Sequence, residues 1–290
     1  MADFRFVKDF SWNKWIISDP KRAKRPNQSK KVLNFCPFCI GNEEADPEVY
    51  RVGGNPKDSN WEIRVVKNKY PFAPVHEIII LSQDHHKNID ELPLSQVELI
   101  FSTYRQRIHT HEKKGQVYLF NNHGELGGES IPHPHSQLVV IPRDVGLDIR
   151  PLINVPEESL QTEFFSIFCP EVSQWPDEVW VVPRKKKSPF SSCFDEEIID
   201  LSFVMQRLIQ IMTIRHGEEF PFNYYIAPGR DWYLRLIPRR KLIGGFEVGT
   251  GVWVNTQDPK ETFAFLKAHF ENPNEEIIRA EHMAEYREGV

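Results

Sequence analysis

Long apolar runs are missing from this chain: none of its 290 residues sits in a stretch near the roughly 18 that a membrane-crossing helix requires. That excludes a helical membrane span. The opening Met1-Ala2-Asp3-Phe4-Arg5 has no apolar signal-peptide core, so a cytoplasmic location is expected. Low-complexity segments are lacking too. A charge of one sign hardly accumulates: the net charge of −5 gives no general attraction to nucleic acid. The run Lys185-Lys186-Lys187 is local and reads as a solvated loop. Cysteine is scarce. Of the four, Cys36 and Cys39 lie two residues apart, whereas Cys169 and Cys193 stand alone. In a reducing compartment a close pair points to metal or redox chemistry before a structural bridge.

What is present is an ordinary soluble composition, 40% hydrophobic and 27% charged, with length enough for a sizeable core. Twenty-two prolines divide the chain into short elements. Two helices are predicted. One starts at Ser95, with Glu98 in capping-box position, and carries Val97, Ile100, Phe101, Tyr104 and Ile108 at helical spacing. The other follows Asp195, buries Ile198, Leu201, Val204, Met205, Leu208 and Ile211, and stops near Gly217. A shorter helix begins at Pro259, capped by Asp258. Strands are predicted at 77–81, 116–121 and 137–141, and again at 178–182, 223–226 and 232–237. The last strand of each set ends alike, in Val-Ile-Pro-Arg (140–143) and Leu-Ile-Pro-Arg (236–239). This is the pattern of an internal duplication. It predicts an α+β fold of two tandem units, 1–165 and 166–290, with a mostly antiparallel sheet and helices packed on it.

The units differ chemically. The first holds His133-Pro134-His135-Ser136-Gln137; the second has Trp232, Tyr233 and Arg235 in that region. On a strand, His133 and His135 would face the same way. Imidazole is both a metal ligand and a nucleophile. Attack on phosphorus by a neutral histidine gives a labile phosphoramidate, and it requires the second ring nitrogen to be hydrogen-bonded, for which a backbone carbonyl would serve. Gln137, Ser130, Gly127 and Gly128 are candidate phosphate donors. The turn Cys36-Pro37-Phe38-Cys39 is half a zinc site, and His85, His86, His123 and His133 are candidates to complete it. Arg22 and Arg25 form a fork suited to phosphate oxygens. The segment Val66-Lys67-Asn68-Lys69-Tyr70 ends a strand in polar and aromatic groups able to frame a base or ribose.

Together these pieces resemble the galactose-1-phosphate uridylyltransferase family, a branch of the histidine-triad superfamily, from Trp15 to about Phe270. The resemblance rests on His-Pro-His-x-Gln with upstream Asn122-x-Gly124 and Ser130, on the Cys-Pro-Phe-Cys turn and on Arg-x-x-Arg-Pro, all in order. It implies that His135 becomes uridylylated, and that Gln137, Asn122, Ser130 and Gly128 hold the phosphates. Arg22, Arg25 and Asn68 would contact phosphate, uridine or ribose. It implies one structural zinc per chain on Cys36, Cys39, His85 and His133. Lys241, Phe246 and Glu247, within Lys241-Leu242-Ile243-Gly244-Gly245-Phe246-Glu247, resemble the loop that receives the sugar phosphate across a dimer interface, so a homodimer is implied.

The sequence also departs from the family. Trp232-Tyr233-Leu234-Arg235 replaces the His-x-His pair on which some members build a second metal site. Ser136 stands where others carry glycine or cysteine, and relatives with similar segments are ADP-sugar phosphorylases. The expected reaction is ping-pong transfer of UMP between UDP-hexose and hexose 1-phosphate, with a nucleoside diphosphate sugar and a sugar 1-phosphate as partners. The alternatives are an ADP-sugar or dinucleotide phosphorylase using the same histidine, and a non-catalytic zinc-stabilised nucleotide binder. The tail after Asn272 reads as a polar helix without assigned chemistry.

Overall fold

A computed structural model describes residues 4–12, 14–24, 35–56, 58–185, 187–217 and 220–288. Arg5–Asp9 (β1) and Lys14–Ser18 (β2) form a separate hairpin. The first unit continues with Glu48–Val52 (β3), Ile63–Lys67 (β4), Val75–Ile80 (β5), helix Leu94–His111 (α1), Gln116–His123 (β6) and His135–Ile141 (β7). The second repeats the order: Leu160–Gln161 (β8), Phe165–Phe168 (β9), Val179–Pro183 (β10), helix Asp195–His216 (α2), Phe222–Ile226 (β11) and Leu234–Pro238 (β12). Three helices follow, Gly245–Thr250 (α3), Pro259–His269 (α4) and Glu275–Glu288 (α5). No described helix is long and apolar enough to cross a membrane.

Both units share one antiparallel sheet, in the order β3-β4-β5-β7-β6-β11-β12-β10-β9-β8. Read from either end, the order of unit positions is the same. The two tandem units therefore meet along β6 and β11, where Asn122 lies opposite Asn223 and Asn121 opposite Tyr224. A division at 165/166 falls at the first residue of β9, with β8 before it.

Helices α1 and α2 cover one face. Their apolar stripes, including Val97, Ile100, Phe101 and Tyr104 on α1 and Leu201, Val204, Met205 and Leu208 on α2, are fully buried. One cluster joins them to Ile79, Leu119, Leu138, Leu234 and Leu236 of the sheet. Each such side chain contributes about 1.5–3 kcal/mol by leaving water. The opposite face carries three smaller clusters, and between them the polar groups described below.

Helix starts depart in detail from expectation. α1 begins one residue earlier than Ser95, after Pro93, with no side-chain cap; proline has already fixed φ and removed a donor. At α2 the Glu197 carboxylate accepts the Phe194 N–H at 2.7 Å. Asp258 caps α4, its Oδ1 accepting the Lys260 N–H at 2.9 Å.

Candidate functional site

β7 begins at His135, so His133 lies ahead of the strand and the alternation rule does not govern the pair. The His133 ring is fully buried and donates Nε2–H to the Ser82 carbonyl at 2.9 Å. That leaves the Nδ1 lone pair toward Cys36 Sγ (3.8 Å) and Cys39 Sγ (3.6 Å). His85 Nδ1 lies 3.1 Å from Cys39 Sγ. The four donor atoms of Cys36, Cys39, His85 and His133 all lie within 4.8 Å of one another. His86, stacked edge-on to His85, and His123 are outside this group.

The donor set fits a metal ion on physical grounds. Burial pushes the His133 pKa down to about 4 and lowers that of His85, so both rings are neutral, as ligands must be. Burial pushes the Cys36 thiol up to about 11, a cost that an adjacent cation removes. The Ser82 carbonyl fixes the His133 tautomer, as outer-shell partners of ligating histidines do.

His135 uses its nitrogens differently. Nδ1 lies 2.9 Å from the His133 carbonyl. A carbonyl only accepts, so Nδ1 carries a hydrogen, and in the neutral ring the lone pair is on Nε2. The ring packs edge-on against Phe38, centroids 5.3 Å apart, within the metal-binding turn. It opens on a cavity of about 190 Å³ lined also by Phe35, Lys67, Asn68, Tyr70 and Ser130. A second cavity of about 1050 Å³ shares Lys67, Asn68, Lys69 and Tyr70 and adds Lys21, Arg22, His76 and Lys114. Those cations outnumber Asp19 and Glu77 on its walls, which suits an anionic ligand. Glu77 is in addition held by Arg107 (2.7 and 3.0 Å) and His111 (2.9 Å).

Several expected residues converge here. Asn68 is fixed by the Tyr70 N–H, which donates to its Oδ1 at 2.8 Å. Arg22 donates to the Tyr70 carbonyl and lies 4.8 Å above the Phe72 ring. Gln137 shares the face of His135, one pleat further along β7. Gly128 has φ +82°, and a Cβ there would lie 3.8 Å from Asn122 Nδ2. Gly127 is obligatory for a different reason: a Cβ would stand 2.1 Å from the His123 carbonyl oxygen. Arg25 lies outside the described residues.

Gln137, Asn122 and Gly128 lie near His135 without lining either cavity, and Lys241, Phe246 and Glu247 line neither. Lys241 donates to Glu247 Oε1 at 2.9 Å, at the start of α3. Phe246 is exposed beside Leu242, Ile243 and Val248.

The structure also adds residues that the sequence reading missed. His76 is buried on β5, with Nε2 2.9 Å from Gln137 Oε1 and the same distance from Asn68 Nδ2. A His-Glu pair opening an otherwise apolar strand was the available signal. Ser136 points away from the cavity. Its hydroxyl meets Tyr104 (2.5 Å) and Tyr224 (3.2 Å), one tyrosine from each unit, and accepts from Asn121 Nδ2 at 3.1 Å. The residue after the nucleophile is therefore part of the core behind it.

The relatives found by sequence are nucleotidyltransferases and phosphorylases, which supports an enzyme. The family described as galactose-1-phosphate uridyl transferase, N-terminal domain, matches residues 68–140. ADP-glucose phosphorylase of Arabidopsis thaliana is 27% identical over 90% of this chain and 91% of its own. Galactose-1-phosphate uridylyltransferase of Thermotoga maritima is 23% identical over 88% of this chain and 95% of its own. A solved uridylyltransferase superposes with a TM-score of 0.72 at 20% identity, covering 91% of this chain and 97% of its own, which shows the shared fold. Along most of its length the chain is thus similar to galactose-1-phosphate uridylyltransferase and to ADP-glucose phosphorylase.

Proposed function

We propose that this enzyme moves a uridylyl group between UDP-hexose and hexose 1-phosphate through a nucleotidyl-His135. The observation that carries the reading is the His135 Nδ1 contact with the His133 carbonyl, which leaves Nε2 as a lone pair at the mouth of a cavity. Nε2 attacks the α-phosphorus. The bond from that phosphorus to the bridging oxygen breaks, and hexose 1-phosphate departs with the electron pair. The carbonyl stabilises the imidazolium that forms. A phosphate oxygen of the incoming hexose 1-phosphate then attacks phosphorus and returns the pair to Nε2. Gln137, Ser130 and Asn122 donate to the non-bridging oxygens, and Gly128, whose N–H donates to the Glu125 carbonyl at 3.0 Å, leaves room beside them. Asn68, Arg22 and Arg25 hold the nucleotide.

Cys36, Cys39, His85 and His133 would hold one zinc ion, whose chemistry here is structural: it ties the turn carrying Phe38 to the residue whose carbonyl orients His135. Lys241, Phe246 and Glu247 would take the sugar phosphate of a partner protomer in a homodimer, a role supported by the exposed apolar rim around Phe246. The units are drawn at 1–165 and 166–290.

A second reading, an ADP-sugar phosphorylase with inorganic phosphate as acceptor, is supported by the similarity to the Arabidopsis ADP-glucose phosphorylase along most of the chain. The discriminating experiment gives the enzyme UDP-glucose or ADP-glucose labelled in the α-phosphate, then galactose 1-phosphate or inorganic phosphate. Faster labelling from UDP-glucose with discharge by galactose 1-phosphate is expected. Labelling from ADP-glucose with discharge by inorganic phosphate alone would replace the first reading by the second, and no labelling from either would leave a nucleotide-binding protein.

A further inference from the structure

The second unit lacks a nucleophile, yet one of its polar chains ends at the phosphate donors of the first. Arg239, just past β12, donates Nη1–H to Asn223 Oδ1 at 2.7 Å. Asn223 donates from Nδ2 to the Gly127 carbonyl at 2.7 Å and to Asn122 Oδ1 at 2.9 Å. Here the chemistry leaves no freedom in assigning the amides. A guanidinium only donates, so the atom of Asn223 facing it is oxygen. A backbone carbonyl only accepts, so the atom of Asn223 facing Gly127 is nitrogen. The atom of Asn122 that receives the other Asn223 hydrogen is therefore its oxygen, and the Asn122 NH₂ is turned the other way, toward Gly128. The Arg239 guanidinium is itself held 4.3 Å above the Trp175 ring.

An amide that can rotate presents either a donor or an acceptor to an anion. One whose oxygen is already occupied presents only its donor. We infer that Asn223 and Arg239 are positioning residues of the second unit, which lock the Asn122 amide with its NH₂ toward the phosphates and dock the Gly127-Gly128 turn beside it. This rests on the proposed role of Asn122 as a phosphate donor. It assigns the second unit a task in the reaction centre of its own chain, separate from the sugar-phosphate loop at 241–247.

Asn223→Asp tests it. The carboxylate still accepts from Arg239, but it has no hydrogen for Asn122 or Gly127. Asn122 then turns its NH₂ to the carboxylate and shows oxygen to the phosphates. The readout is the rate of protein labelling from α-labelled UDP-glucose and ADP-glucose, in the otherwise native chain and in an Asn122→Ala background. Asn223→Asp is expected to slow labelling about tenfold or more alone and less than about twofold when Asn122 is already alanine. Arg239→Met, measured in the same two backgrounds, should show the same coupling with a smaller effect, and serves if the aspartate variant does not fold. Equal slowing in both backgrounds, or no slowing by either variant in folded protein, would overturn the inference. Failure of the unsubstituted enzyme to label would instead remove the reading of the site on which it rests.

Discussion

β7 and β12 occupy equivalent places, each the fourth strand from its edge of the sheet, yet they bring opposite surroundings to the face away from the helices. On β7 that face is open: His135 lines a cavity that Lys67 and Lys69 also line, and Gln137 meets His76 beside it. On β12 it is filled. Arg235 donates to both oxygens of fully buried Glu178 at 2.8 and 2.7 Å. Tyr233 stacks on Trp180, centroids 4.2 Å apart, and donates to the Arg150 carbonyl. Ile149, Leu152, Ile153 and Val155, from the segment joining the units, close over that cluster. One scaffold thus supports a site where the covering chain leaves space and a core where it does not. The difference teaches that what the covering chain leaves room for decides the role of a strand: the His135 ring on β7 lines a cavity, while Arg235 on β12 is spent on Glu178.

The contrast can be broken at four places. The largest expected effect is kinetic. His135→Ala should lower turnover by about 10⁴-fold or more in steady-state assays, as loss of a covalent nucleophile does. Tyr233→Phe, at the corresponding place on β12, should leave it unchanged.

Next is the metal group. Cys36→Ser should reduce bound metal from about one ion per chain to none by metal analysis, with a loss of several kcal/mol in denaturant unfolding. Retention of metal and stability would mean that the four side chains are not one site.

Third, Arg235→Met leaves buried Glu178 without its two-point partner and with the Arg150 guanidinium 3.8 Å away. It should cost about 3–5 kcal/mol of stability while the folded enzyme keeps its turnover. A fall in turnover at unchanged stability would show that β12 takes part in the chemistry.

The smallest effect is on pH dependence. Burial pushes the Glu129 carboxyl, whose oxygen accepts the Gly124 N–H at 2.8 Å, from 4.5 up to about 7. A raised folded-state pKa means that the native state binds a proton the unfolded chain has already released. Stability from this group is then complete below about 4.5 and is lost as pH rises through about 7. Glu129→Gln should flatten the stability profile across that window, measured by thermal unfolding at several pH values. An unchanged slope would place the charge elsewhere.

Much of this was legible in the sequence, because it was written in spacing. Apolar stripes at helical period gave α1 and α2, and the repeated Ile-Pro-Arg endings gave the duplication. Cys-x-x-Cys offered half a metal site with four histidines open, and the family resemblance narrowed them to His85 and His133, although 94 positions separate Cys39 from His133. What spacing could not give was partnership across the sheet. His76 and Gln137 are 61 positions apart, and Asn122 and Asn223 are 101. Only strand order brings them together. Ser136 illustrates the same limit. Its neighbours in sequence are at the site, but the pleat turns its own side chain into the core. The α1 start was misplaced by one residue because Ser95 and Glu98 mimic a cap, while Pro93 sets the helix start.

The central claim is that β7 carries a covalent nucleophile and that it is His135. The direct measurement is to incubate the enzyme with UDP-glucose or ADP-glucose labelled in the α-phosphate, quench in alkali, and locate the label by peptide mapping. The expected result is acid-labile, alkali-stable label on the peptide containing His135 and none in His135→Ala. Equal labelling of His135→Ala, or label on any other residue, would contradict it.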